Sequence, residues 1–284
     1  MGGLTMTCRN FLVLVLSCLI ASFASPFGAL AEDSFTYCQE GTCSIIDGEQ
    51  RQDFFHKQLP NVKGGWYVRY HQVAYHCKAR DQYALTFDDG PSKNLPQILR
   101  ILERHGVIAT FFVVGHGLKT PEQEGMLHEI HQHGHQIANH TMNHPSLIHL
   151  TPEEALAQLD QARQRIDDIL QDTDRNPADT FLYRPPYGEI DERVGSFLRQ
   201  HGYHGVIWNS DRYDWKDLTR DDIIARVNQH LHLVHQPSVQ NNSILDLNHD
   251  GSLATTQALD TILKNIKLAG YEFVSVSQCL GLSP

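Results

Sequence analysis

Asp88 and Asp89 stand side by side in Thr86-Phe87-Asp88-Asp89-Gly90-Pro91, and His140 and His144 stand four apart in His140-Thr141-Met142-Asn143-His144-Pro145. Asp89, His140 and His144 make a three-ligand N/O set, which is what a catalytic divalent metal takes from a protein when it keeps one position open for water. Asp88 is then left over as a base. A metal lowers the pKa of its bound water towards about 7, and a neighbouring carboxylate can accept the proton. The pattern points to metal-assisted hydrolysis. Each half alone is weak, because an Asp-Asp-Gly-Pro segment is ordinarily a solvated turn and any His pair four apart shares a helix face. Their weight comes from the strand-like runs Tyr83 to Phe87 and Gln136 to Asn139, which end at these residues.

Such runs recur along the chain. Tyr83 to Phe87, Ala109 to Val114, Gln136 to Asn139, Phe181 to Arg184, Gly205 to Trp208, Ile244 to Asn248 and Tyr271 to Val276 read as strands. Helical patterns lie between them. Thr151 and Glu154 form a capping box ahead of Ala155, Leu159, Ala162, Ile166 and Ile169, and a second box, Thr219 to Asp222, opens a helix through Ile223 and Val227. Leu263 to Ala269 reads as a helix ending at Gly270, and Gln229 to Asn242 as a surface loop. Alternation of this kind predicts an α/β domain with about seven parallel strands, either an incomplete barrel or an open doubly wound sheet. In both, active sites gather at the carboxyl ends of the strands. Asp88, Asp89, His140, His144, Arg184, Asp211, Asp214 and His249 all follow strands, so they share one rim. His128, His131, His133 and His135 are set apart from it, on a helix from Pro121 and its solvated end, and Glu153 and Glu154 are explained by capping.

Length and composition set the frame. A chain of 284 residues with 41% hydrophobic content buries a full core and, without a leader, matches one barrel-sized domain. Arg9, the apolar stretch Phe11 to Ile20 and the small-residue site Ala29-Leu30-Ala31 predict a secretory signal peptide over residues 1–31, cleaved near Ala31. Val15-Leu16-Ser17-Cys18 offers an alternative lipid-attachment site, but the apolar stretch before Cys18 is short. Residues 32–76 lack the strand and helix rhythm and read as an extension packed on a domain of residues 77–284. Nothing after residue 31 is apolar enough to span a bilayer. Taking Arg9 from the 23 basic residues leaves 22 against 33 acidic ones, a net charge of about −11. Such a surface repels polyanions, which disfavours nucleic acid as a partner and favours a neutral polymer.

Four of the six cysteines, Cys38, Cys43, Cys77 and Cys279, remain after the leader, and an even number in an exported chain predicts two disulfides. Zinc binding by these four is the alternative, but they do not form two close C-x-x-C pairs. Cys77 precedes the first strand and Cys279 follows the last, so closure of a barrel pairs them and leaves Cys38 to pair locally with Cys43.

Five segments, Thr86 to Pro91, His140 to Pro145, Arg184-Pro185-Pro186-Tyr187-Gly188, Asp211-Arg212-Tyr213-Asp214-Trp215 and Leu247-Asn248-His249-Asp250, resemble the ordered motifs of the polysaccharide deacetylases, carbohydrate esterase family four. The resemblance covers about residues 77 to 280. It implies a distorted (β/α) barrel that removes acetyl groups from sugars with one divalent metal, zinc being expected and cobalt or another divalent ion the alternative. It implies Asp89, His140 and His144 as metal ligands and Asp88 as base. It further implies that Arg184 pairs with Asp88 and orients it, and that His249 is the general acid with Asp214 as its partner. By the same resemblance the backbone N–H of Tyr187 is expected to hold the oxyanion and Trp215 and Leu247 to wall the acetyl slot; for those two, core packing is an equal reading. All these residues are present, which disfavours a non-catalytic carbohydrate-binding protein. The expected substrate is a chitin-type N-acetylglucosamine polymer or oligomer acted on by a monomeric enzyme. Peptidoglycan is the alternative, and an O-acetyl xylan comes after it.

Overall fold

The computed structural model describes residues 35–39, 42–46 and 73–282, apart from 172, 237, 238 and 240. The chain divides into two units, Met1–Gly65 and Trp66–Pro284. In the first, β1 (Phe35–Gln39) and β2 (Thr42–Ile46) pair antiparallel with residues 38 and 43 opposite each other. The expected Cys38–Cys43 bond and the leader with its cleavage site lie outside what is described.

The second unit is built of parallel strands. One sheet has the order β3 (Val73–Ala74), β9 (His204–Val206), β8 (Leu182–Tyr183), β7 (Gln136–Asn139), β6 (Thr110–Val113) and β5 (Thr86–Asp88). It is a curled, six-stranded half-barrel. A second sheet has the order β10 (Ser210–Asp211), β11 (Ile244–Leu247), β4 (Gln82–Ala84) and β12 (Glu272–Phe273). The run expected as one strand, Tyr83 to Phe87, lies in a stretch from Gln82 to Asp88 that belongs to both: β4 pairs with β11 and β12, while β5 pairs with β6. The sheets meet again at the rim, where Asp88 N–H donates to the Asn248 carbonyl at 2.8 Å and Asp88 bridges His249. Every residue of β6, β7 and β11 is buried, as parallel strands covered on both faces must be.

Helices cover these strands for reasons written in their ends. Helix α1 (Leu95–His105) starts with Pro96 in its first turn and stops at Gly106, whose φ of 55° is left-handed, and Ile98, Leu99 and Leu102 are buried on its inner face. Helix α2 (Pro121–Gln132) opens on a Thr120–Gln123 capping box. Helix α3 (Pro152–Ile169) opens on Thr151 and Glu154 and buries Ala155, Leu159, Ala162 and Ile166, the residues that its periodicity singles out. Helix α4 (Glu192–Gln200) is capped by Asp191. Helix α5 (Arg220–Val234) corrects the expected loop at Gln229 to Asn242, which begins only after Val234. Ile223, Val227 and Leu231, spaced by four, carry the buried stripe through a segment whose His, Asn and Gln content masks it. Helix α6 (Leu253–Leu268) starts ten residues before the expected Leu263, capped by Ser252. The short α7 (Val276–Cys279) ends at a disulfide between Cys279 and Cys77, beside which Lys78 N–H donates to the Cys279 carbonyl at 2.9 Å.

His135 corrects another expectation. It is buried, not solvated; its Nδ1 accepts the Ala109 N–H at 3.3 Å and its ring lies 5.6 Å from that of Phe111. Burial pulls its pKa down to about 4, helped by the neighbouring His133, so the ring is neutral at ordinary pH.

Candidate metal centre and catalytic rim

The site forms where β5, β7, β8, β10 and β11 end. Asp88 closes β5 and Asp89 follows it, His140 follows β7, Arg184 follows β8, Asp214 lies three residues after β10, and His249 lies two residues after β11. Asp89 Oδ1 is 3.4 Å from His140 Nε2 and 3.3 Å from His144 Nε2. The ligand atoms of these three residues all lie within 4.8 Å of one another. Two donors bound at about 2.1 Å to a tetrahedral ion sit about 3.4 Å apart, so this carboxylate and two imidazoles fit a zinc-like cation. His140 Nδ1 lies 2.8 Å from the Arg184 carbonyl, to which it donates, leaving the Nε2 lone pair for the ion. Burial opposes ionisation of Asp89, yet hydrogen bonds from His140 and His144, together with the charges of His140 and His249, outweigh it and hold the carboxyl well below its usual range.

Asp88 faces a different environment. It is 2% exposed, and its Oδ1 accepts from Arg184 Nη1 at 2.7 Å. Arg184 is itself fully buried, lies over the Phe112 ring at 4.2 Å and donates also to Thr86 Oγ1 at 2.6 Å. The planar guanidinium is thereby fixed, and with it the Asp88 carboxylate.

His249 approaches from the other side, its Nε2 3.8 Å from Asp89 Oδ2. Its Nδ1 is 2.7 Å from Asp214 Oδ1, and its backbone N–H donates to Asp214 Oδ2 at 2.9 Å. Burial works against a charged imidazole, but the bond to Asp214 and the carboxylates of Asp214, Asp88 and Asp89 raise its pKa to about 9. Burial likewise pushes Asp211 up to about 6 and Asp250 up to about 7.

Backbone strain collects here. Asp89 (φ 70°), Thr141 (67°), His144 (57°), Tyr187 (62°) and Tyr213 (55°) are left-handed without being glycine, and Asp81 is the remaining case among the described residues. Each costs about 1 kcal/mol or more and persists where neighbours over-determine it. Asn139 Oδ1 accepts from Thr141 N–H at 2.9 Å, Thr141 Oγ1 from His144 N–H at 3.0 Å, and Asp211 Oδ1 from Tyr213 N–H at 2.7 Å.

The remaining sequence-derived residues are distributed as follows. The Tyr187 ring packs edge-on against His144 at 4.7 Å and is largely exposed. Trp215 is exposed too, beside Tyr213 and under Lys216, whereas Leu247 is buried at the end of β11. Sequence reasoning missed the supports. Thr86 holds Arg184, and Asn248 Nδ2 donates to the Thr86 carbonyl at 3.0 Å. Asp250 Oδ2 accepts from Ser92 N–H at 2.7 Å and packs so closely on Gly90 that a Cβ there would stand 2.4 Å from it. Arg212 is fully buried with Asp246 and Tyr83, whose hydroxyl it meets at 2.6 Å. Asp250 and Arg212 lie inside quoted segments, but no spacing marks their partners.

Known proteins share this fold and much of this sequence. The family model for polysaccharide deacetylases matches residues 76–206. A peptidoglycan-N-acetylglucosamine deacetylase of Listeria monocytogenes is 31% identical over 206 residues, 72% of this chain and 40% of the relative. The chain thus spans well under two thirds of that protein's length. The solved chitin deacetylase of Colletotrichum lindemuthianum superposes with a TM-score of 0.66 at 28% identity, covering 75% of this chain and 92% of that one. The peptidoglycan deacetylase PdaC of Bacillus subtilis superposes with a TM-score of 0.58 at 32% identity, covering 70% of this chain and 90% of that one. From the strand order, the shared rim and these likenesses, the chain belongs to the polysaccharide deacetylase family, the family-four carbohydrate esterases.

Proposed function

We propose that the protein is an exported, metal-dependent N-deacetylase of chitin-type N-acetylglucosamine chains. The observation that carries this reading is one rim where three ligand atoms lie within 4.8 Å of one another, with the Asp88–Arg184 pair and the His249–Asp214 pair beside them. Asp89, His140 and His144 would hold a divalent cation, which polarises a carbonyl and acidifies water when bound. Asp88, oriented by Arg184, takes a proton from the attacking water. His249, kept charged by Asp214, gives its Nε2 proton to the departing amine nitrogen. The Tyr187 amide is proposed as an oxyanion donor, a group whose loss typically costs about 2.7 to 4 kcal/mol in the barrier. Trp215 and Leu247 are proposed to border the acetyl group.

Two features support chitin as substrate and export as the setting. A chain of net charge −10 tolerates a neutral polymer and attracts its cationic product. The Cys77–Cys279 disulfide suits an oxidising compartment, as does the leader read from residues 1–31. Peptidoglycan is a second reading, favoured by the likeness to the Listeria and Bacillus enzymes. Acetate release from chitin tetramers and pentamers, peptidoglycan fragments and acetylated xylan separates these readings. A higher kcat/KM on chitin oligomers is the expected result, and a higher value on peptidoglycan fragments would replace chitin as the substrate.

A further inference from the structure

Asp214 holds His249 through both carboxylate oxygens, and behind it stands a residue outside all five motif segments. The Thr255 hydroxyl donates to Asp214 Oδ2 at 2.6 Å. Oδ2 also accepts the His249 N–H at 2.9 Å, and Oδ1 receives His249 Nδ1 at 2.7 Å. Three donors therefore fix the carboxylate. Thr255 is completely buried and lies in the first turn of α6, where its own N–H donates to the Ser252 Oγ cap at 3.2 Å. Complete burial on a capped helix end and the short bond to Asp214 hold this side chain in one orientation, so its hydroxyl is an anchor. The helix N-terminus also favours a negative charge beside it.

We propose that Thr255 is a positioning residue for leaving-group protonation, acting through Asp214 on the orientation of the His249 imidazole. The inference rests on the reading of His249 as general acid. In the step concerned, the C–N bond of the tetrahedral intermediate breaks and its electron pair stays on nitrogen. That nitrogen takes the Nε2 proton of His249, so a free amine and acetic acid, which ionises to acetate in water, are released and His249 is left neutral. Without the Thr255 hydroxyl, Oδ2 keeps one donor, the carboxylate is free to twist, and the Nε2 proton loses its aim. Buried hydrogen-bond networks are sensitive to loss of a single member in this way.

The test compares an amide substrate with an aryl ester in the metal-loaded, full-length protein. Thr255→Val should lose about tenfold to a hundredfold in kcat on a chitin pentamer with KM nearly unchanged. On 4-nitrophenyl acetate, whose phenolate leaves without a proton, the loss should stay below about threefold. Thr255→Ser should restore the amide rate, and comparing Ser with Ala isolates the hydroxyl at equal loss of the methyl if the Val variant does not fold. Equal losses on amide and ester in the Val or Ala variants would reduce Thr255 to a structural role and overturn the proposal. His249→Ala serves as reference. If it is amide-selective and the Thr255 variants are not, this inference alone falls; if it lowers both substrates alike, the reading of His249 as acid falls and this inference with it.

Discussion

Asp88 and Asp89 are neighbours in the chain with nearly opposite surroundings. Asp88 is buried against a guanidinium, while the left-handed turn at Asp89 aims its half-exposed carboxylate at two imidazoles. The two should therefore separate under mutation. Asp88→Asn and His249→Ala should each lower kcat/KM by about two to four powers of ten while keeping the metal, since they remove proton transfer and not coordination. Asp89→Ala should lose both activity and metal. Elemental analysis beside the kinetics checks this, and metal loss in Asp88→Asn equal to that in Asp89→Ala would mean that the two roles are exchanged. The side chains proposed to titrate and to hold the ion could be picked out in the sequence because their types and the strand ends before them point to one chemistry. Thr86, Asn248 and Thr255 were not, because Thr and Asn have many uses and their partners lie far off in sequence.

At the scale of elements, local signals were read where chemistry marks them. The boxes at Thr151 and Thr219 formed as their spacing implies. The strands Val73–Ala74 and Ser210–Asp211 are too short for a pattern to register, and α5 runs on under polar residues because one apolar side chain per turn suffices to seat it. His135 shows how tertiary packing overrides a local reading. Its residues Gly134 and His133 announce a solvated helix end, yet the strand pairing of β6 with β7 draws the ring inward. A measurable pH dependence follows. The folded-state pKa of about 4 lies below the unfolded value near 6.5, so the unfolded chain binds the extra proton. Stability from this group is complete above about pH 6.5 and is lost as pH falls towards about 4, to the extent of roughly 2 to 4 kcal/mol. Urea unfolding of wild type and His135→Gln at pH 7 and pH 5 should show a smaller acid loss in the variant. Parallel losses would assign the acid sensitivity to other groups.

For the molecule as a whole, the β/α alternation was sufficient to place both ends of the domain together. It did not reveal that one run, Gln82 to Asp88, serves two sheets, since hydrophobic spacing does not record the change of pairing partner across Leu85. The Cys77–Cys279 bond spans 202 residues of sequence and restrains the unfolded chain. Replacing both cysteines with serine should lower stability by about 2 to 4 kcal/mol in reversible denaturation, with an unchanged midpoint excluding that contribution. The same closure sets the three proposed metal ligands, the proposed base and the proposed acid around one space, so the proposed reaction requires the ion. The decisive measurement is acetate release from a chitin pentamer by protein whose metal content is determined in parallel. One divalent ion per chain, activity abolished by chelation and restored by adding the ion back is the expected outcome; full acetate release from protein shown to be metal-free would contradict it.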